Sequence, residues 1–264
     1  MSSYLNTNVS SLNAQRNLSG AQNAMHTSME RMNSGLRVNS AKDDPAGLAI
    51  ASRMESQIRG LNQAVRNASD GISLAQTAEG ALGGIQSNMA RMRELAVQGA
   101  NATSASDIAS INAEFTQLNA ENARVIATTS FNNIPLLSQP VRQVFNVGDD
   151  NITISTGGAI APTSTTLGNT SASSQAEIAK LDVDIANVAA VRGMYGSVQS
   201  RFESVINVLQ ISSENQSAAR SRIMDTDFAS ESANLSRNQI LQQSGMAMLA
   251  QANQSPGSVL SLLR

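Results

Sequence analysis

Apolar residues recur every seven positions along two long stretches free of proline. In the first, Met54, Leu61, Ala68, Ala75, Leu82, Met89 and Ala96 form one seam, and Ile58, Val65 and Ile72 lie beside it. In the second, which begins near Ser174, Leu181, Val188, Tyr195, Phe202, Leu209, Gln216 and Ile223 keep the same spacing. Ile178 and Ile185 flank that seam, and Gln216 is its one polar member. A seven-residue repeat sustained over this length predicts coiled-coil-like helices packed along a stripe. The first helix starts at Asp44-Pro45, a carboxylate in the N-cap position followed by proline at the first helical position. It runs to about Gly99 and, at 1.5 Å per residue, reaches roughly 80 Å. Gly83-Gly84 is the place where it is expected to loosen.

A shorter helix follows from about Ser104. Ser104-x-x-Asp107 has the form of a capping box. Ile108, Ile111, Phe115, Leu118 and Val125 make its apolar face, and Asn132-Asn133 is read as its end. Residues 131–173 change character and are rich in Pro, Gly, Ser and Thr. Val144-Phe145-Asn146-Val147 and Ile152-Thr153-Ile154-Ser155 read as two strands around a Gly148–Asn151 turn. This region turns the chain back, so the two long helices should run antiparallel. The predicted fold is mainly α: an elongated antiparallel long-helix bundle, coiled-coil-like, with a small β-hairpin region in the middle of the chain.

The ends, residues 1–43 and 225–264, are separate segments outside a 44–224 bundle. Leu5, Val9 and Leu12 share one helical face, and Met25, Met29, Met32 and Leu36 share another. These side chains are too few for the length of backbone they would have to order. The N-terminal arm therefore needs a partner surface. Ser255-Pro256-Gly257 is expected to break the last helix.

Composition narrows the function. Aromatic residues are 3% of the 264-residue chain and tryptophan is absent, which suits a thin core of Leu, Ile, Val, Met and Ala. Charged residues are 14%, with a net charge of −2. There is no basic footprint for nucleic acid, and a surface of amides and hydroxyls repels its own copies weakly. Cysteine is absent, which excludes disulfides, thiolate metal sites and a cysteine nucleophile. No 18-residue apolar run predicts membrane insertion. The first residues have neither a basic nor an apolar leader region, so export without a cleaved signal peptide is expected.

Long strings at both ends resemble one family, the bacterial flagellins. NTNVSSLNAQRNL at 6–18, SGLRVNSAKDDPAGLAI at 34–50 and QIRGLNQAVRNASDGISLAQTAEGAL at 57–82 are similar to its N-terminal signatures. ARSRI at 219–223 and LAQANQSPGSVLSLLR at 249–264 are similar to its C-terminus. The resemblance covers about 1–140 and 174–264. It implies an inner domain of paired terminal helices, residues 1–43 with 225–264, and an outer helical domain, 44–224, carrying a hairpin and loop region at about 131–173. It implies a structural, extracellular subunit of the flagellar filament, exported by the flagellar type III apparatus, with no cofactor. Leu5, Val9, Leu12, Leu18, Leu249, Val259, Leu260, Leu262 and Leu263 become the polymerisation candidates. The implied partners are copies of the chain in a helical homopolymer, a flagellar export chaperone, hook-associated junction and cap proteins, and Toll-like receptor five of a host. A hook–filament junction protein is the alternative within the superfamily. The short middle region predicts a thin filament without large outer domains.

ARMRELAVQ at 90–98 resembles the segment of flagellins seen by that receptor. Arg91, Leu95 and Gln98 stand at i, i+4 and i+7 on one helical face, and Glu114 falls where the family supplies a further contact. Leu95 is placed roughly 80° from the centre of the apolar seam, with Arg91 and Gln98 roughly 120–140° away. All three are thus expected beside the core and not in it. The bland reading is a stretch of bundle helix that packs neighbouring subunits.

Other chemistry is weak. His26 is the only histidine, lies near Met25 and Met29, and has no nucleophile motif to serve. A hydrolase is disfavoured accordingly. Asp43-Asp44 reads as a helix cap with a neighbour before it reads as a metal site. A coiled-coil adhesin would explain the heptads but not the terminal strings.

Overall fold

The computed structural model describes residues 7–140, 142–148, 150–155, 163, 166–167 and 170–261. Five helices dominate: α1 (Val9–Ser34), α2 (Pro45–Ala100), α3 (Ala105–Thr128), α4 (Ser171–Met224) and α5 (Phe228–Ser261). Between α3 and α4 lie two antiparallel hairpins, β1 (Ser130–Phe131) with β2 (Ile134–Pro135) and β3 (Arg142–Val147) with β4 (Asp150–Ser155). The mainly α fold with a small β region mid-chain is as the periodicity predicts. The chain divides into two compact units, Met1–Gln57 with Asn215–Arg264, and Ile58–Glu214.

In the second unit the two heptad seams meet. Ala68, Ala75, Leu82 and Met89 of α2 are buried with Val188, Tyr195, Phe202 and Leu209 of α4. The direction follows from cross-helix pairs: Arg93 binds Asp182, Arg192 reaches Glu79 at 3.2 Å, and Ser213 Oγ reaches Asn62 at 3.2 Å. Numbers fall on α2 as they rise on α4, so the helices are antiparallel. Helix α2 continues without a break through Gly83-Gly84. The hairpin β3–β4 lays Val147, Ile152 and Ile154 onto this core while Val144 points out, the period-2 alternation of a half-buried ribbon. Asn67 Nδ2 donates to the Asn146 carbonyl at 2.8 Å and ties the ribbon to α2.

In the first unit α1 and α5 pair. Arg31 faces Glu231 at 3.9 Å, Leu18 lies against Gly245, and Ser11 Oγ donates to Asn253 Oδ1 at 2.7 Å. These pairs are antiparallel too. Gly35 ends α1 at φ 72°, a left-handed cap that donates to the Arg31 carbonyl, where glycine carries no Cβ penalty. Short bonds stitch the chain just beyond it to the end of α4: Arg37 N–H to the Met224 carbonyl at 2.6 Å, and Thr226 N–H to the Gly35 carbonyl at 2.9 Å. Val38, Ala51 and Met224 form a small core there.

Asp44 caps α2 as predicted, accepting from Gly47 N–H at 2.8 Å. Asp43 accepts from the backbone N–H groups of Ser40 and Asn39, at 2.9 and 3.2 Å. The Ser40 backbone and hydroxyl bonds hold its carboxyl below the usual range.

Four local expectations are corrected. Ser104 makes no side-chain cap bond; its hydroxyl pairs with Ser106 Oγ at 2.8 Å instead, because two neighbouring hydroxyls compete for the same short reach. Helix α3 ends at Thr128, before Asn132-Asn133. Those two residues take positive φ, 48° and 63°, and turn the β1–β2 hairpin, since a two-residue turn matched to strand twist needs residues that tolerate the left-handed region. The β3–β4 turn is tighter than read, with Val147 paired to Asp150. Finally, α5 does not break at Ser255-Pro256-Gly257 and runs to Ser261.

Candidate assembly surface

Two surfaces carry the residues singled out from the sequence. The first is the α1–α5 pair. Among its described residues α1 buries only Ser28. Leu18 and Leu249 are half-buried, whereas Val9 and Leu12 are 63% and 51% exposed. Helix α5 leaves Phe228, Ile240, Leu241, Met246 and Met248 at least half exposed. Sequence reasoning missed these residues, which lie on more than one face of α5. The signal was available: a helix apolar on more than one face has more than one surface to cover. A groove of about 700 Å³ runs between the two helices, floored by small residues such as Ala14, Gly20, Ala21 and Gly245. Val259 and Leu260 fall in the last turns of α5, and Leu5, Leu262 and Leu263 lie outside the described residues.

The second surface is on α2 and α3. Arg91 sits between two carboxylates, with its guanidinium 3.0 Å from Glu94 and 3.0 Å from Glu114. The bonds to Glu94 and then Glu114 raise its pKa further. Exposed pairs like these orient side chains more than they stabilise the fold. Gln98 is exposed. Leu95 is not beside the core but inside it, 1% exposed, packed with Met92, Ala96, Ile111, Phe115 and Leu181. The single-seam estimate failed because α3 covers one flank of α2 while α4 covers the other, which widens the buried stripe. The structure thus brings Arg91 and Glu114 together and withdraws Leu95 from the face they share.

Thr163 and Leu167 are each held by a helix side chain. The buried Asp184 carboxylate accepts from Thr163 N–H and from Thr163 Oγ1, each at 2.9 Å. Leu167 N–H donates to Asn112 Oδ1 at 3.2 Å. His26 is exposed on α1. No helix among the described residues is long and apolar enough to cross a membrane.

Long helices packed along apolar seams, with exposed apolar side chains on the paired terminal arms, are the features of a helical subunit that packs against other chains. Sequence comparison agrees. The family described as bacterial flagellin N-terminal helical region matches residues 5–141, and its C-terminal helical region matches 178–263. The chain is 43% identical to a flagellin of Halalkalibacterium halodurans, over 98% of this chain and 99% of that one. It is 38% identical to a flagellin of Bacillus subtilis over the same shares. Its fold is similar to that of a putative flagellar hook-associated protein from Vibrio parahaemolyticus, with a TM-score of 0.61, 14% identity, and 69% of this chain and 100% of that one covered. The chain belongs to the bacterial flagellins, which are structural proteins of the flagellar filament and not enzymes.

Proposed function

We propose that the chain polymerises through its terminal arms, residues 1–43 and 225–264, which form an inner domain, while 44–224 forms the outer one. The observation that carries this reading is the set of exposed apolar side chains on α5 (Phe228, Ile240, Leu241, Met246 and Met248) together with Val9 and Leu12 of α1. Apolar side chains exposed on more than one face are costly in water and are covered when copies stack. The subunit travels through the flagellar type III apparatus to the extracellular filament. An export chaperone holds the C-terminal arm beforehand, and hook-associated junction and cap proteins bound the polymer. The test is electron microscopy and sedimentation of purified chain at high concentration, beside Ile240→Ser/Met248→Ser and a chain lacking 249–264. Filaments from the intact chain and none from either variant support the reading. Normal filaments from the truncated chain defeat it.

The monomer also engages Toll-like receptor five through Arg91, Gln98 and Glu114. Leu95 acts from inside, by fixing the helices that carry them. Support comes from the family-like string at 90–98 and from Arg91 being held against Glu114 at 3.0 Å. A reporter-cell assay with monomer checks this: Arg91→Ala cuts signalling strongly, because interface energy concentrates in few residues. Equal signalling by the variant removes the assignment.

A further inference from the structure

We propose that Asn8 is the residue that positions α1 on α5, by supplying the hydrogen bond that Pro256 denies its own helix. In an α-helix the carbonyl of residue i accepts from the N–H of residue i+4. For Ala252 that donor would be residue 256, which is proline and has no N–H. Helix α5 nevertheless continues to Ser261. Asn8 Nδ2 donates to that carbonyl at 2.7 Å, across 244 residues of sequence.

The same amide does a second task. Asn8 Oδ1 accepts from Ser11 N–H at 3.1 Å and caps α1. The orientation of the amide is fixed by its partners: a backbone N–H needs the oxygen and a backbone carbonyl needs the nitrogen, so only one placement serves both. One side chain therefore closes the start of α1 and repairs the last turns of α5. Next to it, Ser11 Oγ on Asn253 Oδ1 adds a second tether. An unmet, part-buried backbone carbonyl is costly. The donor thus favours α1 seated in this register over any other.

The inference rests on the arms being the assembly surface, so its test begins with wild-type chain that forms filaments. Asn8→Ser keeps an N-cap oxygen but has no amide to reach Ala252. Asn8→Asp keeps the cap and cannot donate. Pro256→Ala restores an N–H within α5 and makes the Asn8 donor dispensable. The quantity read is the subunit concentration left in solution after seeded polymerisation. Circular dichroism verifies that the main helical transition is unchanged. Asn8→Ser and Asn8→Asp each raise that concentration about three- to tenfold. In the Pro256→Ala background, Asn8→Ser changes it less than twofold. A merely structural loss at Asn8 would not be rescued by a change at Pro256, 248 positions away in sequence. Wild-type behaviour of Asn8→Ser, or an equal loss with and without Pro256, overturns the proposal. Failure of wild-type chain to polymerise instead defeats the assembly reading and is seen before any variant is compared.

Discussion

A methyl group placed on Gly71 would stand 2.6 Å from the ring of Phe202. The ring has little freedom to move, since it is fully buried and Phe145 packs on it edge-to-face with centroids 5.7 Å apart. Glycine at 71 is a packing requirement of the α2–α4 contact. Gly83, in the same helix, has open space where its Cβ would be. Gly71→Ala should cost about 1–3 kcal/mol through overpacking. Gly83→Ala should gain about 0.5–1 kcal/mol from lower backbone entropy in the unfolded chain. Thermal melts of the two variants, read against wild type, should move in opposite directions.

Leu95 and Arg91 separate stability from surface chemistry. Leu95→Ala empties a fully buried position and should cost about 2–5 kcal/mol. Arg91→Ala removes two exposed ion pairs, to Glu94 and Glu114, and should leave the denaturation midpoint nearly unchanged. Urea titrations of both monomers decide this. A midpoint for Leu95→Ala equal to wild type would return Leu95 to the surface.

Tyr195 predicts an alkaline weakness. Its ring is fully buried, and its hydroxyl has no hydrogen-bond partner among the described residues. Burial pushes its pKa from 10.0 up to about 12. A folded pKa above the unfolded value means the stability from the neutral phenol is complete below pH 10. It is lost as pH rises through the 10-to-12 window. Tyr195→Phe should flatten the stability profile across that window and cost little near neutrality, because no bond is broken. Melts between pH 8 and 12 test it, and an equal alkaline loss in the variant counts against Tyr195.

Acid acts on the other sign. Hydrogen bonds from Arg93 lower the pKa of Asp182, and those from Gln199 and then Arg192 lower that of Glu79. Their stabilisation is present above the ordinary carboxylate values of 3.8 and 4.5 and fades as pH falls through the lowered ones. Asp182→Asn should lower the melting temperature slightly at neutral pH and converge with wild type at low pH, so its profile is flatter on the acid side.

The arms should be the least protected part of the monomer. Helix α1 buries one described residue, Ser28, whereas the second unit holds the large α2–α4 core. Local opening is cheapest where few apolar contacts close a segment. Amide exchange should be fast across 9–34 and 228–254 in monomer and slow across 64–89, with the arms becoming protected on polymerisation. Strong arm protection before assembly would contradict this.

What the chain determines by itself is local and periodic. The heptads at 54–96 and 181–223 set two long helices because spacing along one strand of sequence decides which side chains share a face. Asp44-Pro45 sets the start of α2 because cap and proline act within one turn. The terminal strings at 6–82 and 249–264 are enough to resemble the family. Tertiary structure decided the rest. Leu95 is buried because α3 happens to cover its flank, which no angle measured on α2 alone contains. Asn132-Asn133 makes a hairpin turn and not a helix end because Phe131 and Ile134 find each other as strand partners. Helix α5 passes Pro256 because a donor arrives from Asn8 at the opposite end of the chain. Each depends on which distant segment supplies the neighbour, and periodicity carries no information about neighbours from another element.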